Sequence, residues 1–234
     1  MVGGRRAMND ARSRTTETPD SAVLAATDCP DGIAGVASGV VDADEQRWER
    51  ELLLAVFDAC RDPPATRREA LKAAKAVELL VGHRRTRNPF VADEASAPSP
   101  ERKRRLLLAG DSLLALAFET IGTLSVGPPV VAECFEVTAL AARESARERR
   151  GDVFDAIVAE FAAELGSVLG GARERRRKQH RRCGRAIGAA MASGGSRRDR
   201  PSREWEAVRR VVGSLEDTRL RTELAAFVDR HATD

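Results

Sequence analysis

The chain contains no tyrosine, and seven phenylalanines with two tryptophans bring its aromatic content to only 4% of 234 residues. Little is therefore available for stacking against exposed bases, a common means of holding single-stranded nucleic acid. Long apolar runs are missing as well. No stretch of about 18 uninterrupted apolar residues occurs, which argues against a membrane-spanning helix. The N-terminus lacks the basic-then-apolar pattern of a secretory signal, and the expected location is the cytoplasm. Cysteine is scarce: Cys29, Cys60, Cys134 and Cys183 stand 31, 74 and 49 residues apart, with no pair at CxxC spacing. Neither a zinc site nor a redox dithiol is expected. Cys60, Cys134 and Cys183 fall inside helical apolar patterns, where a free thiol packs as a small hydrophobe. The three histidines, His83, His180 and His231, lie in arginine-rich or terminal segments that read as solvated surface, so none is expected to be a nucleophile or a ligand. Lysine supplies only four of the 39 basic residues, and these stand against 36 acidic ones. A formal charge of +3 is too near neutral to name a polyanionic partner.

What is present is a globular composition, 42% hydrophobic and 32% charged. Residues 1–43 are rich in small and polar residues without a sustained period, broken by Pro19 and Pro30, and read as a disordered or loosely attached tail. From Asp44 onward the pattern becomes helical. Trp48, Leu52, Val56 and Cys60, with Leu53 and Phe57, line one helical face that ends at Pro63-Pro64. Thr66 is the expected N-cap of a second helix, carrying Leu71, Ala74, Val77 and Leu80, which Gly82 should stop. Residues 83–98 then form a loop. Ser99 and Pro100 give a strong start signal for a helix through ERKRRLLLAGDSLLALAFETIG. Its apolar residues run nearly all round, so it should be the central, buried helix.

Pro128-Pro129 open a helix to about Arg147. Gly151-Asp152 open another, whose stripe of Phe154, Ile157, Val158, Phe161, Leu165, Val168 and Leu169 closes at Gly170-Gly171. A further helix starts in the basic run ARERRRKQHRRC, turns small and apolar at GRAIGAAMA, and ends at SGGS. SRRDRPS is a linker. Two last helices run from Ser202 to about Val212 and from Asp217 to His231. No convincing alternation of period two appears, so the class is all-α. Gly184 and Gly188, four residues apart on one face, should let their helix approach a neighbour closely, and Gly166 with Gly170 offers the same.

The segment RRLLLAGDSLLALAFETI resembles the helix of the trans-isoprenyl diphosphate synthases (the polyprenyl synthetase family) that typically reads AILAGDALLALAFE. FAAELGSVLGGA followed by RRCGRAIGAAMA is similar to the family's AxLGAxLAGA, short loop and YGRALGLAFQI. WEAVRRVVGSLEDTRLRTELAAFVDR resembles its closing helices. Taken in order, these matches extend from about residue 65 to 231. The resemblance implies an isoprenoid-synthase-like bundle of helices around a central cavity. It also implies chemistry in which an allylic diphosphate ionises and Mg²⁺, held on two aspartate-rich motifs, stabilises the departing diphosphate.

Neither motif is present. The adjacent acidic pairs are Asp44-Glu45, Asp93-Glu94 and Glu216-Asp217, and the fourth residues after their first members are Trp48, Ala97 and Leu220. None completes a DDxxD. Where the resemblance places FQxxDD, the chain reads SGGSRRDRPS, with Asp199 alone between arginines. The diphosphate-gripping arginines are less clearly lost: Arg67 and Arg68, in TRRE, and Arg84 and Arg85, in HRRTRNP, lie at roughly corresponding places, and guanidinium forks suit diphosphate. Asp111 and Glu119 match the family helix, but acids embedded there are expected to bond neighbouring helices. Residues 173–185 carry eight basic residues against Glu174, a local +7. That run either is a solvated helix start or holds a polyanion, and nearby acids would relieve its conflict with the helix dipole.

The reading that follows is a degenerate, non-catalytic member of this family acting as a partner or regulatory subunit of an active synthase. It needs no cofactor. A divergent prenyltransferase, which would need Mg²⁺, is the enzymatic alternative. A binder of nucleic acid or another anionic surface through residues 173–185 is the third. The domain should span residues 44–234 and assemble as a homo- or hetero-oligomer, with an anionic ligand as a further possible partner.

Overall fold

The computed structural model describes residues 35–37, 39, 47–60, 63–87, 98–148, 152–194 and 203–232. Most of the expected tail, Cys29, residues 88–97 of the expected loop and the SRRDRPS linker lie outside the described residues. The helices are α1 (Trp48–Ala59), α2 (Arg67–Arg87), α3 (Pro100–Gly122), α4 (Pro128–Glu148), α5 (Asp152–Leu169), α6 (Glu174–Gly194), α7 (Arg203–Gly213) and α8 (Thr218–His231). No strand occurs among the described residues, as the absence of period-two patterning leads one to expect.

Local chemistry sets the helix ends. At the start of α2, Thr66 Oγ1 accepts from the Glu69 N–H while the Glu69 carboxylate accepts from the Thr66 N–H at 2.8 Å, a capping box. These bonds, with others to Ser125, draw the Glu69 carboxyl down to about 2. Ser99 caps α3 by accepting from the Arg102 N–H, and Asp217 caps α8 by accepting from Arg219 and Leu220. The end of α5 is a Schellman motif: Ala172 N–H reaches Ser167 O, Gly171 N–H reaches Val168 O, and Gly171 takes φ +69°. A Cβ there would lie 2.8 Å from Pro64 Cδ, so glycine is also demanded by the α1–α2 turn lying against it.

Two expectations about the helices need correction. Helix α2 does not stop at Gly82 but continues through Arg87, which makes residues 83–87 helical rather than loop. Gly82 is buried in the helix, and the extra turn is pinned to α3, where His83 Nδ1 donates to Gly110 O at 2.9 Å and Thr86 Oγ1 packs against Gly110. The central helix is α5, not α3. Helix α3 buries Leu106, Ala109, Leu113, Leu116 and Ile121 but leaves Leu107 and Leu108 on an outward face. Helix α5 is buried along almost its whole length and touches α1, α2, α4 and α6.

Alanines and glycines make that central position possible. The apolar core falls into two clusters, and α5 serves both. Phe154, Val158, Phe161 and Leu165 face α2 and α3, while Ala159 and Ala163 face the cluster built by α6, α7 and α8. A Cβ on Gly184 or Gly188 of α6 would run into the backbone of α5, at Ala159 O and at Asp155 O with Ala156 Cα. A Cβ on Gly166 would lie 2.6 Å from Leu53 O of α1. The close approaches expected from the glycine spacings are therefore made, on two different neighbours. Ala37, in a short helical turn, is buried in the first cluster with Val36 packed beside it, so packing reaches back into the segment expected to be tail.

Candidate functional site

The two arginine doublets expected to grip a diphosphate lie at opposite ends of one helix. Seventeen residues of α2 separate Arg67 from Arg84, about 25 Å at 1.5 Å per residue, so the doublets do not form a single site. Arg67 is committed to an ion pair with Asp58 and lies 6.0 Å over the Phe57 ring; Arg68 is exposed. At the other end, Arg84 lies 5.5 Å over the Phe154 ring at the start of α5. Burial lowers its guanidinium pKa, against the pull of nearby Asp155. Arg85 is half-buried beside it, and Arg87 pairs with Asp111. Asp111 thus bonds a neighbouring helix, as expected for an acid in that position, while Glu119 points outward and is exposed.

A second cationic cluster was not anticipated. Arg47 and Arg50, at the start of α1, and Lys75, on α2, all converge on the buried carboxylate of Glu78, at 3.7, 3.4 and 3.4 Å. Glu49, also buried, adjoins this cluster in sequence. The signal in the sequence was Glu78, which stands on the inward face of α2 among Ala74, Val77 and Leu80, where an unpaired carboxylate would be costly.

The basic run meets acids from three directions. Glu164, fully buried on α5, takes both Arg177 and Arg181; Glu133 of α4 lies 3.9 Å from Arg177, and Glu174 pairs with the same two arginines. Burial raises the Glu133 pKa, and the neighbouring Glu164 charge adds to the rise. Arg175 pairs with Glu216, Arg176 with Asp217 and Arg185 with Glu160. The conflict with the helix dipole is relieved from within the chain.

The histidine expectation needs correction at every position. His180 is only 3% exposed, on the inward face of α6 with Cys183 and Ile187, and its Nδ1 bonds Ser167 Oγ. His83 is half-buried on Gly110 O, and His231 pairs with Glu51 at 3.1 Å and packs on Phe227. Burial pushes the Cys183 thiol up to about 12 and raises that of Cys60, in keeping with packed, unreactive thiols. The Cys134 side chain lies outside the described residues.

Large apolar side chains remain uncovered chiefly on α3 and α4. Leu107 and Leu108 of α3 and Phe135 and Leu140 of α4 are exposed, Phe135 by 55%, and the rings of Phe118 and Phe135 stack at 4.0 Å between the two helices. No described helix is long and apolar enough to cross a membrane. Among the described residues no group of three or more His, Cys, Asp or Glu stands together to hold a metal ion. At the C-terminal end of α2, where a carboxylate set would be sought, stand Arg84, Arg85 and Arg87, and the adjacent Asp111 is engaged by Arg87.

No family model matches the chain, and no curated protein matches it in sequence. Solved structures do match. A geranyltranstransferase from Methanosarcina mazei superposes with a TM-score of 0.71 over 92% of this chain and 94% of that one, at 18% identity. The fold is that of the trans-prenyltransferases. A geranylgeranyl pyrophosphate synthetase from the archaeon Geoglobus acetivorans gives 0.70 over the same shares of the two chains at 16% identity. The geranyl diphosphate synthase small subunit from Antirrhinum majus gives 0.61 over 85% of this chain and 89% of that one, also at 16% identity.

Proposed function

We propose that the protein is a non-catalytic partner or regulatory subunit of an active prenyl diphosphate synthase. The observation that carries this reading is the set of exposed large apolar side chains on α3 and α4, Leu107, Leu108, Phe135 and Leu140. Exposed leucines and a phenylalanine on two adjacent helices are residue types that a subunit contact covers. The reading is supported by the likeness to a synthase small subunit and by the missing aspartate-rich motifs. Without carboxylates to gather Mg²⁺, the chief means of stabilising a departing diphosphate is gone. Affinity purification of the tagged protein from its native host, with light scattering of the recovered material, tests it. The expected result is a hetero-oligomer containing a catalytically intact synthase, and a monomer with no synthase attached overturns it.

The alternative, a divergent prenyltransferase, is favoured by Arg84 with Arg85, whose guanidinium forks suit an anionic ligand such as a diphosphate. The protein alone, given radiolabelled isopentenyl diphosphate, Mg²⁺ and short or long allylic primers, is expected to make no product. Product abolished by chelator would establish the alternative in its place.

A further inference from the structure

At the end of the bundle away from Arg84 lies a cleft of about 600 Å³, where the end of α1, the α5–α6 turn and the α7–α8 turn meet. Helix α5 sets the separation: Phe154, beneath Arg84, is at its start and Gly170 is just past its end, about 24 Å away along the axis. The cleft is within the size range of small-molecule sites. Its wall carries Arg173, Arg175 and Arg176, with Arg175 paired to Glu216 and Arg176 to Asp217 in outward, solvent-screened ion pairs that a stronger anion could displace. It also carries the start of α6, and no side chain in residues 170–173 is able to accept a hydrogen bond and cap that helix. Arg173, the two paired arginines and the helix N–H groups thus face the same space.

His180 is the group that makes this more than a basic rim. It lines the cleft, is 3% exposed, and among the described residues its buried Nε2 has no hydrogen-bond partner. Its tautomer follows from the neighbours. Ser167 Oγ donates its proton to Ala163 O at 2.8 Å, so it must accept from His180 Nδ1–H. Nε2 is then a bare acceptor, buried without a donor, at a cost that a ligand hydroxyl would remove. The site therefore asks for an anion and a hydrogen-bond donor in one molecule.

We infer that this cleft binds a hydroxyl-bearing phosphomonoester, the size of a sugar phosphate or a nucleoside monophosphate, with its phosphoryl group on the arginines and the start of α6 and a hydroxyl donating to His180 Nε2. Three histidines in the whole chain make the test direct. The full-length protein is labelled with ¹⁵N-histidine, the His180 resonances are assigned by their loss in His180→Gln, and ribose 5-phosphate and adenosine monophosphate are titrated separately. Either probe should move the Nε2 signal of His180 saturably and leave those of His83 and His231 in place. Tighter binding of one probe identifies which of the two sources the site prefers. Arg173→Ala/Arg175→Ala, on exposed side chains, should weaken binding at least about tenfold with the melting temperature kept, and Gln179→Ala, in the cleft wall, should weaken it by less. The proposal is overturned by the absence of a saturable shift, by an equal shift from sulfate at matched ionic strength, or by undiminished binding to the double variant.

Discussion

Burial holds the His180 imidazole neutral, with its pKa pushed down to about 4 by desolvation. The unfolded chain, with an ordinary histidine value, binds a proton between about pH 6.5 and 4 that the folded chain refuses, so stability is full above that window and falls as pH falls through it. The loss approaches about 1.4 kcal/mol per pH unit inside the window. Urea midpoints at pH 7 and pH 5 should therefore drop more in the wild type than in His180→Gln, and parallel drops would exclude this source. The comparison matters because Glu133, raised by burial, works with the opposite sign. Glu164 offers a second residue-scale test. It is buried with Arg177 and Arg181 on one oxygen, so Glu164→Ala leaves those half-buried guanidiniums to Glu133 and Glu174 alone and should cost about 2 kcal/mol in denaturant unfolding. Neither role was read from the sequence, although the spacing contained it: His180, Cys183 and Ile187 share a helical face, but the surrounding arginines disguised the histidine as surface. Glu164 sits within an apolar stripe, and its partners are separated from it by a turn of glycines.

The packing of α5 and α6 decides the stability of the elements. On Gly188 a Cβ would come within 2.7 Å of Ala159 Cβ and closer still to backbone atoms of α5, which have no rotamer with which to yield. Gly188→Ala should therefore force the helices apart and cost about 2 kcal/mol, whereas Gly122→Ala, at a site with open space around it, should be neutral or stabilising by up to about 1 kcal/mol. Thermal melts of the two variants check the pair, and equal effects would refute the close-approach argument. These glycines were legible because their four-residue spacing is itself the packing signal. Caps at Thr66 and Ser99 were legible for the same local reason: each needs only one side chain and the amides two or three residues on. The end of α2 was not, because whether Gly82 stops or continues a helix depends on Gly110, in another helix, accepting His83. The burial of α3 was misjudged because leucines all round it do not say which of them the rest of the chain covers.

For the molecule as a whole, the ordered resemblances anticipated the trans-prenyltransferase fold, while the cation cluster on Glu78 required knowing which helices meet. What the chain does with that fold turns on the face left open by α3 and α4. If that face is the partner interface, its exposed side chains contribute to assembly and almost nothing to the fold of the single chain. Leu108 and Leu140 are 41% and 40% exposed, so a double Leu108→Asp/Leu140→Asp substitution should change the monomer's stability by only about 0.5 kcal/mol. In the assembly the same carboxylates would be buried against apolar surface without partners, a penalty large enough to weaken association by about 100-fold or more. Sedimentation of the variant with the co-purified synthase, beside a melt of the variant alone, separates the two terms. Loss of the complex with the melt intact upholds the interface; an undisturbed complex removes α3 and α4 from it, and a collapsed melt means these leucines belong to the chain's own core.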